Sequence, residues 1–140
     1  MEQFEYRSRP KSNYIMEATW QELYKLAEHW KNELAFYKDE IRFFKKLSAK
    51  YNYIKNPKFE ELKQRVDDAE LQLKILHAQT EEHLKHITQF IKMLEEGQET
   101  DNEDHIFREE HNLMEDNIMA FANAFWQLRK AIFTEAEQYI

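Results

Sequence analysis

The longest uninterrupted stretch of this chain, residues 13–51, contains neither Gly nor Pro and carries a regular apolar pattern. Two neighbouring columns of apolar residues recur seven positions apart. The first column is Met16, Leu23, Trp30, Tyr37, Phe44 and Tyr51, and the second is Trp20, Ala27, Leu34 and Ile41. A period of seven is typical of long helices that pack side by side. The stretch therefore predicts one long helix with a broad apolar face.

Two further segments show helical spacing of apolar residues, and short polar stretches separate the three. The Asn56-Pro57 pair is a typical helix start, and Gly97, the one Gly in the chain, suits a helix end. We predict helices at about 13–51, 57–96 and 103–139, after a tail formed by residues 1–12. Short connections make neighbouring helices antiparallel. The predicted fold is an all-α, up-down-up, coiled-coil-like bundle of three helices in one domain, residues 13–140.

The composition favours an ordinary packed protein over several other classes. Apolar residues make up 42% of the chain and aromatics 14%, which argues against disorder. The chain has no Cys, so thiol chemistry, disulfides and cysteine-bound metals are excluded. A formal charge of −7 disfavours general nucleic-acid binding. We find neither a signal peptide nor a membrane-spanning run, and we predict a cytoplasmic protein without a nucleic-acid or membrane partner.

Several ionisable residues fall on the predicted apolar faces. When the helices are folded back at the two turns, these residues gather at two levels of the bundle. Histidine and carboxylate side chains at one level of a bundle are the usual ligands of iron, manganese or zinc. The candidate metal ligands are Glu22, His29, Glu33, His77, Glu81, His83, Glu110 and His111.

This metal hypothesis competes with simpler structural roles. Histidines at the edge of an apolar face are often hydrogen-bonded across a helix interface, and flanking glutamates often form ion pairs between helices. Glu40 is expected to pair with Lys63 or Arg65. The pattern is loosely similar to hemerythrin-like and ferritin-like bundles, but the fourth helix, the Glu-x-x-His pair and the His-x-x-x-His pairing of those proteins are absent here. We identify no family from the sequence.

The chain also holds more apolar residues than three helices need for a core. A second apolar stripe follows one side of helix 3, and helix 2 has apolar residues away from its main face. The predicted interface is Leu71, Ile75, Met119, Trp126 and Phe133. Large exposed apolar patches usually mark contacts between proteins.

Charge is sorted along the chain and suggests how two copies would lie together. Most Lys and Arg lie in residues 25–65, whereas Arg108 is the only Lys or Arg in the acidic stretch 95–116. We therefore expect an antiparallel homodimer.

The leading functional hypothesis is a non-enzymatic, self-associating interaction or scaffold protein, with another helical protein as a further possible partner. The scarcity of Gly and Ser argues against a phosphate-binding loop or a serine nucleophile. Metal storage, sensing or oxygen chemistry is the alternative. Binding of an apolar ligand among the aromatic residues is a third possibility.

Overall fold

The computed structural model describes residues 15 and 17–139, and it contains three long α-helices. They are α1 (Trp20–Lys50), α2 (Pro57–Glu95) and α3 (Asp101–Ala136), and a short 3-10 helix, Glu137–Tyr139, follows α3. No strand occurs within this described part of the chain. The predicted all-α, three-helix bundle is confirmed. The predicted tail, Met16 and Ile140 lie outside the described residues.

Contacts between the helices establish the up-down-up arrangement. Lys45 and Lys31 of α1 pair with Glu70 and Glu81 of α2, so the numbers rise on one helix as they fall on the other. His83 contacts Glu110, which makes α2 and α3 antiparallel as well. No helix in the described residues has an apolar run long enough to cross a bilayer.

One continuous apolar core runs along the bundle axis. Both predicted columns of α1 supply buried side chains, including Trp30, Leu34 and Ile41. α2 and α3 contribute residues such as Leu76, Ile87 and Phe125 to the same cluster. The seven-residue period therefore places the core residues of α1 correctly.

The first predicted helix is interrupted: Ile15 and Glu17 are helical, Ala18 and Thr19 are not, and α1 starts at Trp20. Thr19 has an extended backbone (φ −71°, ψ 159°) and acts as the N-cap of α1. Its hydroxyl accepts a hydrogen bond from the Glu22 backbone N–H, and the Glu22 carboxylate accepts one from the Thr19 N–H. This reciprocal capping box stops the helix from continuing backwards through Thr19. The prediction of one unbroken helix from residue 13 was therefore wrong at this point.

The two turns differ in how well the sequence predicts them. The Asn56 side chain caps the start of α2, and Pro57 lies in its first turn, as predicted. Gly97 follows the end of α2 with a φ of +74°, also as predicted. The α-helical part of α3, however, starts at Asp101 rather than Glu103 and ends at Ala136 rather than residue 139. Thr100, in the polar stretch between α2 and α3, is buried.

Arg108 fastens the chain before α1 to the start of α3. Its guanidinium donates hydrogen bonds to the backbone oxygens of Ile15 (2.7 Å) and Ala18 (2.9 Å) and to the Asp104 carboxylate (3.0 Å). The same group lies over the ring of Trp20, whose indole N–H also binds Asp104 (2.7 Å). Ile15, Ala18 and Trp20 are therefore held on the third helix at the end of the bundle that carries the second turn.

Candidate functional site

Two regions of the bundle are candidates for function, and the first is a cluster of polar side chains between α2 and α3. We call it the histidine network and define it as His83, His86, Glu110 and His111. The Glu110 carboxylate forms a short hydrogen bond with Nδ1 of His83 and contacts Nδ1 of His86 at 2.9 and 3.0 Å. Nε2 of His83 lies 2.9 Å from Nδ1 of His111. Four side chains from two helices thus form one continuous chain of hydrogen bonds.

The helices themselves bring these residues together. His83 and His86 are three apart on α2, and Glu110 and His111 are neighbours on α3, so each pair lies on the side of its helix that faces the other. His83 and His111 are almost fully buried (1% and 0% exposed), whereas His86 and Glu110 reach the surface. Trp30 of α1 packs against His111, with ring centroids 4.6 Å apart, and closes the inner side.

The charge of Glu110 is stabilised by the two histidines that contact it. Burial acts to raise the pKa of Glu110, but hydrogen bonds and charge from His83 and His86 outweigh burial, and the net pKa is lowered from its ordinary value of 4.5. His86 also contacts Glu82 through Nε2 (3.2 Å). His86 therefore lies between the Glu82 and Glu110 carboxylates at the outer edge of the network.

The sequence prediction that His83, Glu110 and His111 share a level is confirmed by these contacts. Their arrangement is nevertheless that of a hydrogen-bonded network. Oε1 of Glu110 occupies the position on which Nδ1 of His83 and Nδ1 of His86 converge. Across residues 15 and 17–139, no group of three or more His, Asp or Glu side chains is arranged so that it could hold a metal ion. The metal hypothesis therefore rests on the sequence alone.

The other predicted ligands lie elsewhere. His29 pairs with Glu33 (3.3 Å) on α1, and His77 pairs with Glu81 (3.1 Å) on α2; both are pairs four residues apart on one helix. Glu22 is exposed and belongs to the capping box of α1. The set chosen from the sequence omits His86 and the buried Glu115, although the spacing of His83 and His86 on one face of α2 was a usable signal.

The second candidate region is an exposed surface along the seam between α1 and α3. We call it the α1/α3 face and define it as Phe36, Glu40 and Phe43 of α1 with Met119, Trp126, Arg129 and Phe133 of α3. Phe36, Phe43 and Phe133 are 72%, 55% and 50% exposed. Phe133 touches Phe44, the neighbour of Phe43, with ring centroids 6.1 Å apart. The aromatic side chains of the two helices therefore lie at the same end of the seam.

An ion pair lies in the middle of this face. Nε of Arg129 donates to Oε2 of Glu40 at 2.8 Å, and Nη2 donates to Oε1, so the pair is bidentate. The Glu40 carboxylate raises the pKa of Arg129 above its ordinary value. The expected pairing of Glu40 with Lys63 or Arg65 was wrong, because Glu40 lies on the side of α1 that faces α3. Arg129 also lies over the Trp126 ring, 5.7 Å from its centroid.

The predicted interface residues do not share one surface. Met119, Trp126 and Phe133 are seven apart on α3 and follow the α1/α3 face. Leu71 lies between two residues of α2 that face other helices. Glu70 binds Lys45 of α1, and Gln72 lines a groove between α2 and α3. At about 100° per residue, Leu71 points away from both neighbours, and Ile75 is one turn further along. The outward side of α2 is therefore a separate apolar surface.

Comparison of the chain with models of known protein families, with curated proteins and with solved structures finds no significant match.

Proposed function

We propose that this protein is a non-enzymatic helical bundle that associates with a second copy of itself through the α1/α3 face. The exposure of Phe36, Phe43 and Phe133 on one face is the observation that carries this proposal. Neighbouring aromatic side chains exposed to water on a bundle that already has a full core usually mark a protein contact. Aromatic residues and Arg are also the residue types that dominate binding energy at such contacts.

The ion pair in the middle of the face is compatible with burial. Both Glu40 oxygens already accept hydrogen bonds from Arg129, so covering the pair leaves no carboxylate oxygen unbonded. The aromatic residues around it provide the gain, about 1.5–3 kcal/mol for each side chain that becomes fully buried. Ordering and rigid-body costs consume much of this gain, so the whole face is required for a stable dimer.

Charge complementarity favours a second copy in the opposite direction. The basic stretch, residues 25–65, surrounds the first turn, and the acidic stretch, residues 95–116, surrounds the second turn. Two rods packed antiparallel bring the basic end of each copy beside the acidic end of the other. Such a pair has two-fold symmetry, the commonest arrangement among homo-oligomers.

Sedimentation of matched double variants tests this proposal. Phe36→Glu with Phe133→Lys places opposite charges on the α1/α3 face without changing the net charge. Leu71→Glu with Ile75→Lys makes the same change on the outward side of α2. We expect the unmodified protein and the α2 variant to sediment as dimers at tens of micromolar, and the face variant to sediment as a monomer with an unchanged helical circular dichroism spectrum.

Two results would contradict the proposal. A monomeric unmodified protein would show that the face serves no self-association at this concentration and would favour a different helical partner. Dissociation of the α2 variant, with the face variant still dimeric, would place the contact on Leu71 and Ile75 instead.

A further inference from the structure

We propose that the apolar cavity at the end of the bundle that carries the first turn binds small primary amines with an unbranched alkyl chain. The end of the chain enters the cavity, and the ammonium group pairs with the Glu135 carboxylate. This inference is independent of self-association. It rests on the lining of the cavity, on the burial of Glu135 and on the charges around it.

All three helices line the cavity, which lies between the C-terminal turns of α1 and α3 and the first turns of α2. Its walls are mostly apolar and include the buried side chains of Phe44, Leu62, Val66 and Ile132. The cavity has a volume of about 50 Å³ and is partly open to solvent. Because an apolar cavity of about 150 Å³ holds a benzene molecule, this cavity accommodates only the slender end of a ligand whose other end remains outside.

Glu135 is the buried charged residue of this lining, with an exposed fraction of 7%. Its Oε2 accepts hydrogen bonds from the Asn56 side-chain amide at 3.3 Å and from the Tyr139 hydroxyl at 3.4 Å, and both are longer than usual for such groups. Within residues 15 and 17–139, Oε1 accepts no hydrogen bond, and no Lys, Arg or His lies at ion-pair distance from the carboxylate. Since a buried charge is normally paired, Glu135 can take a cationic donor from a ligand.

Lys63 also lines the cavity, but its charge is already accommodated. Its Nζ lies 3.8 Å from the Glu60 carboxylate and 5.9 Å from the centre of the Phe59 ring. The Lys63 side chain is 38% exposed, so water solvates its ammonium group, whereas the Glu135 carboxylate has lost most of its water. The buried charge therefore gains more from a ligand of opposite sign, which favours an amine over a carboxylic acid.

The ends of the helices favour a cation at the same place. α1 ends at Lys50 and α3 ends at Ala136, so two helix C-termini, each with partial negative charge, lie at this end of the bundle. The last turn of α3 contains no basic residue that would offset this charge. The N-terminus of α2 also lies here, and the Asn56 side chain caps it. An ammonium group beside Glu135 is therefore attracted both by the carboxylate and by the end of α3.

Titration of the full chain with hexylammonium chloride tests the proposal, with hexanol and sodium hexanoate as probes of equal chain length. NMR shifts of the Leu62 and Ile132 methyl groups report binding at the cavity, at neutral pH, where an alkylammonium is charged, and at constant ionic strength and protein concentration. Glu135→Gln keeps the size of the side chain and removes its charge. Glu137→Gln is the matched control, because Glu137 is exposed on the adjacent 3-10 helix and the net charge changes equally.

We expect the unmodified protein and Glu137→Gln to bind hexylammonium roughly tenfold or more tightly than hexanol, and Glu135→Gln to lose this preference. Ala136→Leu places a larger side chain in the lining of the cavity and leaves Glu135 unchanged, so it should abolish binding of hexylammonium at the cavity.

Four results would overturn the proposal. They are no binding of hexylammonium at the cavity of the unmodified protein, equal binding of hexylammonium and hexanol, an unchanged preference in Glu135→Gln, and tighter binding of hexanoate, which would assign recognition to Lys63 instead. If Glu135→Gln does not fold, the comparison of the three probes on the unmodified protein and on Ala136→Leu decides the question.

Discussion

The half of the bundle near the second turn and the half near the first turn depart from simple core packing in opposite ways. In the half near the second turn, polar side chains lie inside, and His83 and His111 are buried between α2 and α3. In the other half, aromatic side chains lie outside, with Phe36, Phe43 and Phe133 exposed along the α1/α3 face. Both groups share the helical spacing of core residues, so spacing alone does not distinguish them.

The difference lies in whether the chain itself provides partners. Both ring nitrogens of His83 and Nδ1 of His111 need particular neighbours at hydrogen-bond distance, and the chain supplies those neighbours from two helices. The exposed aromatic residues need only apolar area, which any suitable surface can provide. Polar residues inside therefore fix how this chain packs on itself, and apolar residues outside leave room for a second molecule.

The largest expected effect separates a buried Phe from an exposed one on the same helix. Phe125 is 2% exposed, and Phe133 is 50% exposed. Phe125→Ala should lower the free energy of unfolding by about 3–5 kcal/mol through the cavity it leaves. Phe133→Ala should lower the free energy of unfolding of the monomer by about 1 kcal/mol or less, and it should weaken the proposed dimer instead. Urea unfolding and sedimentation measure the two effects, and equal losses of stability would remove the distinction between the two halves.

A second test asks whether the histidine network depends on complete pairing. His83→Ala removes the centre of the network and leaves Glu110 and His111 each without one partner. We expect a loss of about 3 kcal/mol at neutral pH. Replacing His83, Glu110 and His111 together by Leu should cost less than His83→Ala alone, because no unpaired polar group remains. A triple variant that is less stable than His83→Ala would show that the network stabilises the fold beyond satisfying its own members.

The smallest expected effect concerns the ion pair on the α1/α3 face. Glu40→Gln keeps the shape of the side chain but removes the charge opposite Arg129, and the loss should be about 1 kcal/mol. Glu70→Gln is the matched control. Glu70 of α2 pairs with Lys45 of α1 in a more exposed ion pair, so this change should have little effect on the free energy of unfolding. A double-mutant cycle of Glu40 and Arg129, measured by urea unfolding, isolates the coupling; zero coupling would mean that the pair does not stabilise the monomer.

Most of the fold could be predicted from the sequence, since the seven-residue period, Asn56-Pro57 and Gly97 carry most of the information. The start of α1 could have been predicted more closely, because Thr19-x-x-Glu22 has the spacing of a capping box. The short turns also placed His83 level with Glu110 and His111. Turn lengths fix levels along the axis, but they do not fix which way a side chain points around it. That is why Glu40 and Leu71 were given wrong neighbours.

The clamp formed by Arg108 has a consequence for the order in which the chain can complete its fold. The capping box of Thr19 and Glu22 is local and can form as soon as α1 has left the ribosome. The hydrogen bonds from Arg108 to Ile15 and Ala18, in contrast, span about 90 residues. At typical rates of synthesis, Arg108 emerges roughly 3–12 s after the end of α1. Until α3 has followed, the apolar faces of the nascent α1 and α2 lack their third helix and are accessible to a chaperone or to a neighbouring nascent chain.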